Sequence, residues 1–108
     1  MDYFKVVRED LTSVGLLGAS RVQYSIGKWV YPREPLSSHN RKGGGLWVLW
    51  QRSDALRFKR YVEQKYGFGV RIFTCAIGAI LYENSYRVKT GKVMLLEEIK
   101  RETIKAVL

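Results

Sequence analysis

The chain has 108 residues with 19 Lys+Arg, 10 Asp+Glu, one His, one Cys, two Pro and ten Gly. This length suits one domain, and 46% hydrophobic with 27% charged residues is globular composition that excludes wholesale disorder and fibrous repeats. A lone cysteine excludes an intramolecular disulfide framework and a multi-thiolate metal site, and runs such as Leu46–Trp50 are far shorter than the ~20 residues of a membrane helix.

In chain order, Tyr3–Arg8 is aromatic and β-branched and predicts an opening strand, followed by the turn residues Asp10-Leu11-Thr12-Ser13. From Arg21 the pattern alternates, with Val22, Tyr24 and Ile26 against Arg21, Gln23 and Ser25. Gly27 interrupts it before Trp29-Val30-Tyr31, so residues 21–31 predict one bent strand or two short ones. Residues 32–45 carry Pro32, Pro35, Ser37, Ser38, Asn40 and Gly43-Gly44-Gly45, which predicts a long flexible loop. Leu46–Trp50 is a continuous apolar run, the pattern of a central strand buried on both faces.

A helix is predicted over 53–66. Ser53 serves as N-cap, Asp54 faces the helix dipole, Ala55, Phe58, Val62 and Tyr66 form the apolar stripe, and Gly67 terminates it. Val70–Ile77 alternates as a strand, and Ala79–Glu83, Tyr86–Lys89 and Lys92–Leu96 read as shorter ones. Asn84-Ser85 and Thr90-Gly91 are their turns, the second read as a tight hairpin. From Glu97, the residues Ile99, Thr103, Ile104 and Val107 suit a short terminal helix. The expected fold is therefore α+β: a single twisted, mostly antiparallel sheet with one principal helix, all within one domain.

The charge of +9 is concentrated. Residues 21–92 hold 14 Lys/Arg against Glu34, Asp54, Glu63 and Glu83, whereas both ends are near neutral. A basic segment attracts polyanions because neutralised phosphates release counterions. Aromatic rings interleave with the cations in Lys28-Trp29-Val30-Tyr31, Trp50-Gln51-Arg52 and Tyr86-Arg87-Val88-Lys89, and such rings on a sheet surface can stack bases. The expected nucleic-acid contacts are Lys28, Trp29, Arg41, Lys42, Arg52, Arg57, Lys59, Arg60, Arg87 and Lys89, with Trp50 a second candidate ring. Of these, Arg41/Lys42 and the Arg57/Lys59/Arg60 helix face are the expected backbone contacts.

Catalytic constellations are thin. His39 beside Ser38 does not offer nucleophile–base geometry, since adjacent side chains diverge. Glu97-Glu98 would point to opposite faces of a strand. Cys75, flanked by Phe73 and Ile77, reads as a buried inert thiol. Gly43-Gly44-Gly45 precedes an apolar strand with its basic residues first, the reverse of a phosphate loop opening a helix. No catalytic site, metal or other cofactor is expected.

Three stretches carry a resemblance: Tyr3-Phe4-Lys5-Val6-Val7-Arg8-Glu9-Asp10-Leu11-Thr12-Ser13; Tyr24-Ser25-Ile26-Gly27-Lys28-Trp29; and Gly45-Leu46-Trp47-Val48 with Asp54-Ala55-Leu56. With Val88-Lys89-Thr90-Gly91-Lys92-Val93 and Glu97-Glu98-Ile99, residues 3–99 resemble a small domain family of unknown function found in phages and other mobile elements. Its members often carry His or Cys near the position of Trp47, which this chain does not, and no functional residues carry over. The resemblance implies a small α+β accessory protein of viral or plasmid type.

The leading expectation is a non-enzymatic nucleic-acid-binding protein of a prokaryotic cytoplasm, with no signal peptide after Met1-Asp2-Tyr3-Phe4-Lys5 and no membrane association. The alternatives are a module that binds an acidic protein or forms a homodimer through a strand edge, and a small transferase or hydrolase acting on a nucleotide or phosphorylated substrate. Scarce Cys, Met, Asn and Gln beside abundant Arg, Lys and Glu suit a thermophilic host.

Overall fold

A computed structural model of the chain describes residues 2–15, 21–39 and 44–100. It contains one helix and a seven-stranded antiparallel sheet, the α+β architecture expected from the pattern. The elements are β1 (Tyr3–Arg8), β2 (Trp29–Val30), β3 (Leu46–Leu49), α1 (Arg52–Tyr66), β4 (Val70–Ile77), β5 (Ile80–Glu83), β6 (Arg87–Thr90) and β7 (Val93–Ile99). In space the strands run β2-β7-β4-β1-β3-β6-β5.

The order explains one departure from the sequence pattern. Thr90-Gly91 is not a hairpin turn: β6 pairs with β3 and β5, while β7 pairs with β4 and β2. Gly91-Lys92 is instead a corner at which one long strand changes partners, and Gly78-Ala79 is the matching corner between β4 and β5. Gly78 N–H donates to Lys92 O at 3.0 Å across the two corners. The pairing circuit β4–β1–β3–β6, with β6 running on into β7 and β7 back on β4, thus closes on itself like a small barrel. A glycine beside a partner-changing position is as local a signal as a turn, so pattern alone does not separate them. The true turn of this long hairpin lies at Asn84-Ser85 as expected, where Asn84 Oδ1 accepts the Tyr86 and Arg87 N–H groups at 3.1 and 3.0 Å.

Alternation on the strands divides the apolar residues between two cores. Val7, Leu46, Val48, Phe73, Cys75, Val88, Val93 and Leu95 fill the inner face with Val22 and Tyr24. Val6, Val70 and Ile72 on the opposite face meet Ala55 and Val62 of α1. Burial pushes the Cys75 thiol up to about 12, which leaves it un-ionised and unreactive at neutral pH.

Of residues 21–31, only Trp29–Val30 joins a ladder. Val22 and Tyr24 are buried and backbone-bonded to Leu11–Ser13, but Ile26 is exposed and Gly27, at φ 80°, turns the chain away. Alternation recorded the burial of Val22 and Tyr24 but not the exposure of Ile26, because it does not record where the partner strand ends. In the 32–45 segment, Pro35–Ser37 is tied to Gly44 by Gly44 N–H to Pro35 O at 2.7 Å and Ser37 N–H to Gly44 O at 3.1 Å. Residues 40–43 lie outside the described residues.

The helix begins one residue earlier than expected, with Gln51 as N-cap and no side-chain cap bond; Ser53 sits inside the first turn. Gly67 ends it at φ 77°, and its N–H donates to Glu63 O at 3.0 Å. Only Ala55 and Val62 of the expected stripe are buried, because the sheet contact runs along their side of the helix, with Phe58 and Tyr66 at its rim. The expected terminal helix does not begin at Glu97, which lies in β7 with Glu98 and Ile99; residues 101–108 lie outside the described residues.

Glu98 is held there by Arg71, which donates Nε–H to Oε2 at 3.0 Å and Nη2–H to Oε1 at 2.8 Å. The Arg71 hydrogen bonds hold the Glu98 carboxyl below the usual carboxylate range. A lowered folded-state value contributes stability above the unfolded value that is lost as pH falls through the folded one. Glu98→Gln is therefore expected to lower the urea midpoint at neutral pH, with the gap to wild type narrowing as pH falls below the ordinary carboxylate range. A gap that stays constant across this range would contradict the pairing.

The two ends of the sheet are blunted. β2 has two residues, and β5 has four with a register shift between Ile80 and Tyr82. Edges of this kind are poor templates for pairing with a second chain.

Candidate nucleic-acid interface

Where α1 leaves the sheet, the aromatic residues of its rim are uncovered. Phe58 and Tyr61 are 38% and 51% exposed, with ring planes 22° apart and centroids 6.4 Å apart. Across from them, Tyr86 at the tip of the long hairpin is 50% exposed. These three rings surround Leu49 in a hollow of about 410 Å³ that Asp54 and Arg57 complete. Lys65 donates to Tyr61 Oη at 3.0 Å, which sets a cation against that ring.

The hollow shares Leu49, Phe58, Tyr61 and Tyr86 with a larger cleft of about 670 Å³. This cleft runs inward between β1 and β3, past Lys5, Arg33, Trp47 and Arg87. The Arg87 guanidinium lies over the Trp47 indole, 3.9 Å from the ring centroid, a cation–π contact that holds it flat at the cleft wall. Tyr82 packs edge-on against the same indole at 6.0 Å. Flat rings beside cations provide stacking surfaces for bases and charge for phosphates.

The structure brings Arg57 to the hollow and Arg87 to the cleft that opens from it, and separates both from Lys28 and Trp29. Lys28 is exposed beside the edge strand β2, and the Trp29 ring there is capped by Lys92 Nζ at 4.2 Å. Arg52 and Arg60 are exposed on α1. Arg57 Nη1 pairs with Asp54 at 3.0 Å while remaining open to solvent, so it neutralises the one acid of the hollow. Lys59 faces the protein instead, paired with Glu63 and donating to Val70 O at 3.2 Å. Lys89 is only 1% exposed, and its Nζ donates to His39 O at 2.8 Å, so it faces the protein's own backbone. Trp50 donates Nε1–H to Asn84 O at 2.9 Å and packs against Tyr3, a structural position. Arg41 and Lys42 lie outside the described residues.

Sequence reasoning assigned Phe58 to the core and did not single out Tyr61 at all. The available signal was Tyr61 and Lys65 at i,i+4 on the polar side of the helix, where an aromatic residue has no core to fill. Among the described residues, no group of three or more His, Cys, Asp or Glu could hold a metal ion, and no helix is long and apolar enough to cross a membrane.

Comparison with known proteins found no matching family model, no matching curated protein and no matching solved structure.

Proposed function

We propose that the protein is a non-enzymatic binder of single-stranded nucleic acid and that the aromatic cleft is its binding surface. The observation that carries this reading is the meeting of Phe58, Tyr61 and Tyr86 with Arg57 in the hollow and with Arg87 in the cleft that opens from it. Stacking on exposed rings requires unpaired bases, and a hollow between a helix and a hairpin tip suits a flexible strand better than a rigid duplex. The concentration of positive charge in residues 21–92 supplies the long-range attraction. The resemblance to a phage and mobile-element family supports an accessory role in a prokaryotic cytoplasm.

Fluorescence anisotropy with labelled single-stranded and duplex oligonucleotides at about 50 and 200 mM salt tests the reading. Single strands are expected to bind more tightly, with affinity falling as salt rises by roughly 0.7 in log–log slope for each phosphate neutralised. Absence of binding at the lower salt, or preference for duplex, would overturn it.

A further inference from the structure

The register of β3 and β6 puts Arg87 on the same face of the sheet as Trp47. Leu49 pairs with Arg87 and Trp47 with Lys89, so Arg87 and Trp47 are diagonal neighbours on the ladder. The two cations beside the indole are used differently. Lys89 Nζ lies 6.0 Å from the ring centroid, but it donates to His39 O at 2.8 Å and the side chain is enclosed. The Arg87 guanidinium lies over the ring face, 3.9 Å from the centroid.

Arg87 also differs from other cations of the fold in having no anionic partner. Arg57 pairs with Asp54, Lys59 with Glu63 and Arg71 with Glu98. Among the described residues, the Arg87 side chain makes no hydrogen bond and no ion pair, and the indole face is what holds it. Glu34, the one carboxylate lining the larger cleft, forms no ion pair with it. Of the guanidinium nitrogens only Nε is enclosed, which leaves Nη1 and Nη2 to meet a ligand. A guanidinium stacked through its face keeps its in-plane N–H donors for another group, and its two terminal amino groups match the two free oxygens of a phosphodiester.

The backbone sets this fork beside a stacking ring. Asn84 Oδ1 accepts the N–H groups of both Tyr86 and Arg87, and Asn84 N–H donates to Arg87 O at 3.0 Å. A base stacked on Tyr86 therefore brings its own phosphate toward Arg87. We propose that Arg87 is a phosphate fork for the bound strand and that Trp47 is its positioning residue. The indole takes the place that a carboxylate would otherwise occupy, holding the guanidinium still without neutralising it. The proposal rests on the nucleic-acid reading above and adds that one phosphate is gripped at a fixed place.

Anisotropy with labelled oligo(dT), titrated between about 50 and 200 mM salt, tests this through the slope of log affinity against log salt. Arg87→Gln is expected to weaken binding about tenfold at the lower salt and to reduce the magnitude of the slope by about 0.7, the share of one phosphate on a single strand. Trp47→Leu should reproduce much of both changes although every charge is retained. Trp47→Phe, which keeps a ring face beneath the guanidinium, should return both toward wild type. The double variant Trp47→Leu/Arg87→Gln should lose no more than Arg87→Gln alone. Arg87→Lys, which keeps the charge without the planar fork, should bind nearly as weakly as Arg87→Gln, and it decides the test if Trp47→Leu fails to fold by circular dichroism. A wild-type slope in Trp47→Leu, losses that add in the double variant, or full affinity in Arg87→Lys would each overturn the proposal and leave the binding surface standing. No binding by the wild-type protein would instead overturn the nucleic-acid reading itself.

Discussion

Replacing Tyr61 and Tyr86 together with alanine is expected to weaken binding of single-stranded oligonucleotides by tenfold or more, since base–aromatic stacking contributes about 1–3 kcal/mol per base. Both rings are about half exposed, on opposite sides of the hollow, so truncation removes stacking surface while leaving both hydrophobic cores intact. Folding stability should therefore change little, and the salt dependence should persist because Arg57 and Arg87 are retained. Tyr66→Ala is the matched control. Tyr66 is equally exposed on the same helix but stacks on Phe68 outside the hollow, and its loss should leave affinity unaltered. Equal losses in the double variant and the control would show that aromatic content, rather than the hollow, governs binding.

The second large effect concerns stability. Phe73→Ala is expected to destabilise the protein by about 3–5 kcal/mol, the usual result of emptying a large aromatic site in a packed core. Phe73 is fully buried on β4, between β1 and β7, where its inner face packs with Val7 and Leu95. Domains of this size have only about 5–15 kcal/mol of stability in total, so the variant should be substantially weakened at 25 °C. Urea unfolding followed by circular dichroism measures the shift. A midpoint near that of wild type would mean that the inner face of the sheet is not the main core.

These two expectations differ in how far the sequence alone leads to them. The alternation of Val70–Ile77 places Phe73 on one face with Cys75, and the burial of both follows from that period of two. The opening strand, the end of the helix at Gly67 and the turn at Asn84 were legible for the same reason: each is set by residues within a few positions. The closed circuit of strands was not legible. It depends on Gly91 and Lys92 forming a corner against Gly78 and Ala79, a pairing between segments that no local period records. The site divides likewise. Arg57 was marked by the basic face of the helix and Arg87 by the interleaving of rings and cations, but the role of Arg87 is set by Trp47, 40 positions earlier in the chain, through a contact made only when β3 pairs with β6. Lys89 carries the same pattern two residues on and is turned against the backbone carbonyl of His39. Charge and aromaticity in a sequence thus identify the kind of surface, while strand register decides which cations reach it.

Backbone amide chemical-shift mapping of the protein titrated with a short single-stranded oligonucleotide tests the central claim most directly. The account predicts shifts concentrated at Leu49, Arg57, Phe58, Tyr61, Tyr86 and Arg87, with little change at Lys28 and Trp29 on the far edge of the sheet. Shifts centred on Lys28 and Trp29, or spread evenly over the basic residues without a maximum at the hollow, would contradict it.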